Sequence, residues 1–348
     1  MNQLAPCYAL ASAALFGLST PFAKLLIASI DPWLLAGLFY LGSGLGLAVI
    51  RVGLARRRGR AEASLGRADI PWLAGAILFG GVAGPILLMV GLQRTDGATA
   101  SLLLTFESVA TALIAWFVFR ENVDRRIAFG MALIVAGAAL LSWPDDLTFG
   151  NVAGPLGVLG ACLAWGIDNN LTRKVSLADP VQVAMIKGLV AGPINLGLAF
   201  VVGAAPPPIG SVPMALLVGF LGYGVSLSLF VLALRHLGTA RTGAYYATAP
   251  FLGAGAAIPL LGEDVSFGLL AAGVFMAVGV WLHLTERHEH EHEHALAAHS
   301  HRHRHDAHHR HAHGPDDPPG EPHTHHHVHG SLRHRHDHVP DSHHRHAH

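Results

Sequence analysis

Long apolar stretches alternate with short polar ones from the start of the chain to about residue 284. A helix needs about 20 residues to cross the hydrocarbon core of a bilayer. Helix-breaking pairs, such as Asp31-Pro32 and Asp179-Pro180, mark the loops between the stretches. The pattern predicts an all-α integral membrane protein with ten transmembrane helices, at residues 6–28, 33–51, 70–92, 98–118, 126–143, 154–172, 180–203, 213–234, 240–261 and 265–284.

The ten stretches form two similar sets of five. Residues 91–124 align without gaps with residues 233–266, at a constant offset of 142. Residues 15–24 (LFGLSTPFAK) likewise resemble residues 164–173 (AWGIDNNLTR). Because five crossings is an odd number, the second set must enter the bilayer upside down relative to the first. Inverted repeats of this kind are typical of transporters that alternate access by moving one half against the other.

The sequence therefore divides into three predicted units. Residues 1–147 form the first five-helix repeat, residues 148–286 the second, and residues 287–348 a polar tail. Basic residues set the expected orientation, since cytoplasmic loops carry an excess of Lys and Arg. Of the basic residues that flank the spans, Arg94 falls on one side and thirteen on the other: Arg51, Arg56, Arg57, Arg58, Arg60, Arg67, Arg120, Arg125, Arg126, Arg173, Lys174, Arg235 and Arg241. We expect a multi-pass protein of the cytoplasmic membrane with both termini cytoplasmic.

Composition agrees with a membrane protein. The 348 residues are 51% hydrophobic and only 13% charged, about half the charged share of a soluble domain. The lipid bilayer is thus the expected partner, and a formal net charge of zero argues against nucleic acid. Cys7 and Cys162 are predicted to be buried bystanders. No Walker, GxSxG or HExxH motif occurs, so we expect no enzyme activity. The sequence does not set the oligomeric state.

Glu107 is the strongest candidate for chemistry. It lies about halfway along the fourth predicted span, between apolar neighbours. An ionised carboxylate at that depth is costly unless it meets water, a cation or a proton. Low polarity favours the neutral form, so Glu107 could load and release a proton during transport. The alternative is a structural role, in a buried ion pair or as a permanently protonated hydrogen-bonding group.

Further polar residues in predicted spans are candidates for contact with substrate or coupling ion. Lys187 could balance Glu107, bind an anionic substrate, or extend its long stem to the cytoplasmic surface. Asp168, Asn169 and Asn170 either tie down the inner end of the sixth span or line the mouth of the pathway. Asn195 is a weaker candidate, since amides in spans more often make interhelical hydrogen bonds.

The tail differs completely from the spans. Residues 288–348 hold 24 of the 26 histidines and show no apolar periodicity, so we expect disorder. Neutral imidazoles bind Zn²⁺, Ni²⁺, Co²⁺ and Cu²⁺, and the irregular spacing predicts labile, nonselective binding with no cofactor required. The candidate ligands are His288, His290, His292, His294, His301, His303, His305, His325, His326 and His327. The tail could buffer or deliver metal, sense pH through its histidines, or have no selected role.

The paired segments end in FREN (Phe119–Asn122) and LGED (Leu261–Asp264), which places Glu121 and Glu263 at the same repeat position. With the length and the ten spans, they make the chain resemble the EamA-type family of drug/metabolite transporters, over residues 6–143 and 154–284. The resemblance implies a ten-helix carrier of small metabolites or drugs, with a cavity lined by spans 1, 3, 4, 6, 8 and 9. Glu107 and Asp168 would then lie on cavity helices.

Three functions follow from these patterns. The leading one is a secondary transporter that exports a small polar solute, with proton coupling through Glu107. A second is a divalent transition-metal exporter, with Glu107 and Asp168 as oxygen ligands and the tail as a metal collector. A third is a membrane protein that stores or senses metal and moves nothing, although a sensor needs no inverted repeat.

Overall fold

The computed structural model describes residues 5–55, 65–119, 125–142, 149–176, 178–237, 239–285, 288–294, 297–303, 323–329 and 332–338. Up to residue 285, each predicted span has a helical counterpart. The α-helices are α1 (Ala5–Ile27), α2 (Pro32–Ala55), α3 (Ile70–Ala76), α4 (Gly84–Leu92), α5 (Gly97–Leu103), α6 (Phe106–Phe119), α7 (Arg125–Ser142), α8 (Phe149–Thr172), α9 (Pro180–Val201), α10 (Val212–Gly219), α11 (Ser226–Leu237), α12 (Thr239–Tyr246), α13 (Ala249–Leu261) and α14 (Phe267–Leu284).

Shorter helical pieces complete the spans. Turns of 3₁₀-helix occupy Arg67–Asp69, Arg173–Val175 and Ile209–Ser211. A π-helix at Ile77–Ala83 joins α3 to α4, and a second one at Phe220–Val225 joins α10 to α11. The third and eighth spans are therefore continuous but locally widened, because a π-turn accommodates one extra residue per hydrogen-bonded ring.

The duplication inferred from the sequence recurs in the helix boundaries. The starts of α3, α4 and α5 lie 142 residues before those of α10, α11 and α12. Helix α14 follows α7 at the same offset at both its start and its end. Even the breaks correspond, since the fourth span is divided between α5 and α6 as the ninth is between α12 and α13. The two halves thus share one local architecture.

Contacts between equivalent spans show that the repeats are inverted. Gly44 of α2 lies against Gly188 of α9, while Gly37, two turns earlier, lies against Leu196, two turns later. Residue numbers therefore rise along α2 as they fall along α9, so these second spans of the two repeats are antiparallel. Helices α7 and α14 meet in the same way, with Gly130 against Gly279 and Gly137 against Met276. The predicted class, a helical membrane protein of two inverted repeats, is confirmed.

Seven helical segments in the described residues are long and apolar enough to cross a membrane. They correspond to predicted spans 1, 2, 3, 4, 7, 8 and 10. Helix α7 begins with Arg125 and Arg126, α8 ends in the polar segment that includes Asp168, and α13 has 13 residues, being the second piece of a broken span. A total of ten spans therefore stays a prediction.

The two Asp-Pro pairs start equivalent helices. The Asp31 carboxylate accepts a hydrogen bond from Trp33 N at 2.9 Å, at the start of α2. The Asp179 carboxylate accepts one from Val181 N at 3.0 Å, at the start of α9. Proline suits the first position of a helix because it has no N–H to satisfy, and a preceding Asp caps the amides that follow. These pairs were predicted as loop punctuation, and they are also helix N-caps.

The fourth and ninth spans, predicted as continuous helices, are each broken by a turn. The break at Leu104–Thr105 places Glu107 in the first turn of α6. In the ninth span, Pro250 occupies the first turn of α13, and a proline there cannot donate to the preceding turn. Nothing in the sequence of the fourth span marks its break, since it contains neither Pro nor an internal Gly near Leu104.

Four stretches of the tail, which was predicted to be disordered, lie in strands. They are β1 (His288–His294), β2 (Ala297–His303), β3 (His323–His329) and β4 (Leu332–His338). Strand β1 pairs antiparallel with β4, and β2 pairs antiparallel with β3. The sequence HEHEHEH of β1 alternates two residue types, which matches the two-residue period of a strand. Backbone pairing can therefore form here without the apolar periodicity that a packed core requires.

Candidate functional site

A small cavity of about 50 Å³ lies between the two repeats. That volume has room for a few water molecules. Residues of both repeats line it: Phe16, Tyr40, Glu107, Trp165, Asp168, Asn169, Lys187, Gly222, Tyr223, Ser226, Leu227, Phe230 and Tyr246. Four of the six residues predicted for substrate or coupling contact are thus together, namely Glu107, Asp168, Lys187 and Asn169.

Lys187 and Asp168 form a buried ion pair. The Lys187 Nζ atom lies 2.7 Å from Asp168 Oδ1 and 2.6 Å from Oδ2, and the residues are 1% and 6% exposed. Thr172 also donates to Asp168 Oδ1, at 2.8 Å. The prediction that Lys187 balances Glu107, or extends to the cytoplasmic surface, is not what the structure shows. Its partner is Asp168 because α8 and α9 bring these two side chains face to face at the wall of the cavity.

Glu107 meets a neutral partner. Asn169 Nδ2 donates to Glu107 Oε1 at 2.8 Å and also lies 3.2 Å from Thr111 Oγ1. Glu107 stands in the first turn of α6, where the positive end of the helix dipole favours a negative charge. Among the described residues, no Lys, Arg or His forms an ion pair with this carboxylate.

Asn170 and Asn195 hold the helices together. Asn170 Nδ2 donates to Thr111 O at 3.1 Å and to Gly166 O at 2.8 Å, which ties the sixth span to the fourth. Asn195 Nδ2 donates to Gly81 O at 2.8 Å, which ties the seventh span to the third. Both are buried. These bonds correspond to the helix-tying alternatives considered for the two residues.

The π-helix of the third span supplies acceptors for the site. Tyr40 Oη and Trp165 Nε1 both donate to Gly80 O, and Asn195 donates to the next carbonyl, Gly81 O. A π-turn displaces backbone carbonyls from the regular ladder, which leaves them available to side chains. Gly80 also has to be glycine, because a Cβ there would overlap Asp168 Oδ2.

Aromatic rings form much of the cavity wall. Phe16 meets Trp165 at a centroid distance of 5.6 Å, Tyr223 at 5.8 Å and Tyr246 at 5.5 Å. Phe230 packs on Tyr246 at 4.8 Å. Sequence reasoning missed these residues, because a single aromatic ring in an apolar span looks like core or lipid contact. The available signals were the tyrosines, whose hydroxyls need a polar partner away from water, and the Gly80-Gly81 doublet.

The resemblance implied a cavity lined by spans 1, 3, 4, 6, 8 and 9. Among the described residues, spans 1, 4, 6, 8 and 9 do line the cavity, but no residue of span 3 does, and Tyr40 of the second span and Lys187 of the seventh line it in addition. The three charged side chains of the cavity have no charged counterparts in the other repeat. At the equivalent positions of the other repeat, Glu107 is replaced by Ala249, Asp168 by Ser19 and Lys187 by Phe39. The fold is therefore duplicated but the charges are not.

Glu263 of the LGED segment binds the start of the fourth span. Its carboxylate accepts from Gly97 N at 2.5 Å and from Ala98 N at 2.7 Å. Those amides have no partner within their own helix, so the second repeat caps a helix of the first. Glu121, at the same repeat position in FREN, lies outside the described residues.

The predicted metal ligands of the tail remain predictions. Strands β1, β2 and β3 contain the backbones of His288, His290, His292, His294, His301, His303, His325, His326 and His327, and His305 falls outside the described residues. In the part of the chain that the structure describes, no group of three or more His, Cys, Asp or Glu side chains is placed to hold a metal ion.

Comparison with known families decides the relationship. The model of the EamA-like transporter family matches residues 3–143 and 152–285, one match for each repeat. The chain belongs to the EamA-like transporter family. As a member of it, the protein is a membrane transporter, and the resemblance drawn from its sequence is confirmed.

Individual relatives agree with this membership. An uncharacterized transporter of Methanothermobacter thermautotrophicus is 28% identical over 77% of the EamA chain and 82% of its own length. A probable 4-amino-4-deoxy-L-arabinose-phosphoundecaprenol flippase subunit ArnE of Pseudomonas fluorescens is 39% identical over 24% of this chain and 74% of its own. One solved crystal structure superposes with a TM-score of 0.60 at 19% identity, over 81% of this chain and 96% of its own.

Proposed function

We propose that this EamA-family protein is a secondary transporter that exports a small polar solute by alternating access, with a proton carried on Glu107. The observation that supports it is the position of Glu107. It faces a cavity between two inverted repeats and has a neutral amide as its partner. A carboxyl group in such a place changes charge when it gains or loses a proton, so protonation is able to alter which arrangement of the spans is stable.

The expected orientation, with both termini in the cytoplasm, rests on the thirteen basic residues of one set of loops. The repeats are antiparallel, so a relative movement of the two halves would open the cavity toward either face in turn. The buried pair of Asp168 and Lys187 lies beside this cavity. It would hold the sixth and seventh spans together while the first and fourth spans move.

The test is solute efflux from proteoliposomes that contain the full chain. Vesicles are loaded with a mixture of small polar metabolites, a pH gradient is imposed, and the released solutes are identified by mass spectrometry. Wild-type protein is expected to release one or a few solutes only when the gradient is present, and Glu107→Gln should abolish that dependence. Asp264→Asn is the matched control, since Asp264 is an exposed acid outside the cavity. Unchanged, gradient-driven efflux by Glu107→Gln would exclude the proton role.

The second candidate is a divalent transition-metal exporter, and the observation that favours it is the histidine-rich tail. In that mechanism Glu107 and Asp168 would be oxygen ligands and the tail would collect Zn²⁺, Ni²⁺, Co²⁺ or Cu²⁺. The contact between Lys187 and both oxygens of Asp168 weighs against it, because a cation already occupies that carboxylate. The third candidate is metal storage or sensing. Neither role requires inverted repeats around a cavity.

A further inference from the structure

The charges around the cavity do not balance. Lys187 neutralises Asp168, and Thr172 satisfies one of the same carboxylate oxygens. Glu107 lies at the same cavity with an amide as its partner. Within the described residues, the cavity therefore holds two carboxyl groups and one ammonium group. When Glu107 is ionised, the site lacks one positive charge, and burial away from water makes an uncompensated charge costly.

The remaining walls are suited to a cation with an organic surface. Phe16, Trp165, Tyr223, Tyr246 and Phe230 place aromatic rings at the cavity that holds Glu107. The face of an aromatic ring carries a negative partial charge and attracts ammonium groups, most strongly where water is excluded. Aromatic rings also make favourable apolar contacts with alkyl groups. A metal ion would instead need several oxygen, nitrogen or sulfur ligands directed at one point, whereas aromatic rings form much of this wall.

We propose that the site binds a small organic ammonium ion, with its positive charge at the Glu107 carboxylate and its alkyl groups against the aromatic rings. The proton and the organic cation then compete for one carboxylate, so the departure of one makes room for the other. This inference rests on the proposed transport function and names the substrate class of the same site. The cavity has to widen for such a molecule to enter, as alternating access requires.

Other titratable groups face Glu107 from the neighbouring helices. They are Asp168 on α8, Lys187 on α9, the phenols of Tyr40, Tyr223 and Tyr246, and the thiol of Cys162. Phenols and thiols are neutral near pH 7, and Asp168 and Lys187 compensate each other. The net charge of the site therefore follows the state of Glu107, and binding of an organic cation should weaken as the medium is acidified.

The test measures binding to the purified full chain in detergent micelles. The probes are tetramethylammonium and benzyltrimethylammonium as cations, erythritol as a neutral solute and methanesulfonate as an anion. Quaternary ammonium ions cannot lose a proton, so their charge is constant across the pH range. We expect saturable binding of at least one cation, no binding of erythritol or methanesulfonate, and an affinity that falls by up to about tenfold per pH unit on acidification.

Variants separate the charge from the rings. Glu107→Gln should lower cation affinity by at least about tenfold, as expected for loss of a buried charge partner. Tyr246→Leu should lower it by about three- to tenfold, whereas Tyr246→Phe keeps the ring face and should stay within about twofold of wild type. Equal binding of the neutral or anionic probe, no binding of either cation by wild type, or full affinity in Glu107→Gln would each overturn the proposal.

The outcome is independent of the transport test. Gradient-driven efflux of a neutral solute, without cation binding, would support the proposed transport function but contradict the proposal that the site binds an organic cation. Cation binding that depends on Glu107, without any gradient-driven efflux, would support the proposed cation site but contradict proton-coupled export.

Discussion

Phe16 and Trp165 occupy the same position in the two repeats, and their rings meet edge to face with centroids 5.6 Å apart at an interplanar angle of 80°. A pair of equivalent residues in contact must lie close to the axis that relates the two halves. Both residues also line the cavity. The site is therefore built where the repeats meet, and each repeat supplies one ring to its centre.

The ion pair of Asp168 and Lys187 should be a large contributor to stability. Lys187→Met leaves Asp168 buried without a counter-charge, and we expect the free energy of unfolding to fall by about 3–5 kcal/mol. Asp168→Asn should have a comparable effect. The double variant should lose less than the two single losses combined, because neither charge is left alone. Unfolding in mixed micelles by SDS titration gives these values.

The pair of Arg51 and Asp179 is the natural control. Its atoms are 2.9 Å apart, but the side chains are 37% and 18% exposed. Arg51→Met should change stability by less than about 1 kcal/mol. If Lys187→Met destabilised the protein as little as Arg51→Met, the buried pair would not be a large contributor to stability.

Gly80 should tolerate no side chain. A methyl group there would overlap Asp168 Oδ2, so Gly80→Ala should displace Asp168 from Lys187 and disturb the acceptor shared by Tyr40 and Trp165. We expect destabilisation of at least about 2 kcal/mol, in the range of other changes that overpack a core. The control is Gly255→Ala in α13, where nothing lies within 4 Å of the added carbon. That change should be neutral or slightly stabilising, measured by the same titration.

Glu263 should stabilise the start of the fourth span. Glu263→Gln keeps the shape but removes the negative charge at the two amides of α5, and we expect a loss of about 0.5–2 kcal/mol. Asp264→Asn, the exposed neighbouring acid, should change stability by a few tenths at most. Amide hydrogen exchange at Gly97 and Ala98 gives a local measurement. Equal protection of these amides in wild type and Glu263→Gln would contradict the capping role.

The tail should be separable from the transporter. We expect deletion of residues 288–348 to remove most binding of Ni²⁺ and Zn²⁺ by the purified protein, because 24 of 26 histidines are lost. Gradient-driven solute efflux from proteoliposomes should be unchanged. Loss of metal efflux from vesicles loaded with Zn²⁺ or Ni²⁺ after the deletion would instead favour the metal exporter.

The sequence predicts the repeats well because a span of about 20 apolar residues is a strong signal and a duplication doubles it. It also identifies Glu107, Asp168 and Lys187, since each is a charge among apolar neighbours. Which acid pairs with Lys187 could not be predicted from the sequence. Whether Lys187 contacts Glu107 or Asp168 depends on how α8 and α9 pack, and that information lies in contacts between distant parts of the chain.

Backbone irregularities are the other part that sequence reasoning missed. Neither the π-helix at Ile77–Ala83 nor the turn at Leu104–Thr105 contains a proline, although Pro85, two residues after the π-helix, has no N–H to donate to Gly81 O. They are stabilised by tertiary contacts, such as the bonds to Gly80 O and Gly81 O. Local helix propensity does not predict such features. They nevertheless position the carbonyl acceptors Gly80 O and Gly81 O next to the site and place Glu107 at the start of a helix.

The three charged residues of the cavity have no charged counterparts at the equivalent positions of the other repeat, and this has a consequence for the proposed transport cycle. Ala249, Ser19 and Phe39 stand where a fully mirrored protein would have a second acid pair and a second ammonium group. Symmetry thus does not oblige the inward-open and outward-open shapes to have equal free energy, as it would if both halves were chemically alike. In the proposed alternating-access cycle, the empty carrier is therefore expected to favour one of the two shapes, and the bound solute or proton would supply the difference in free energy.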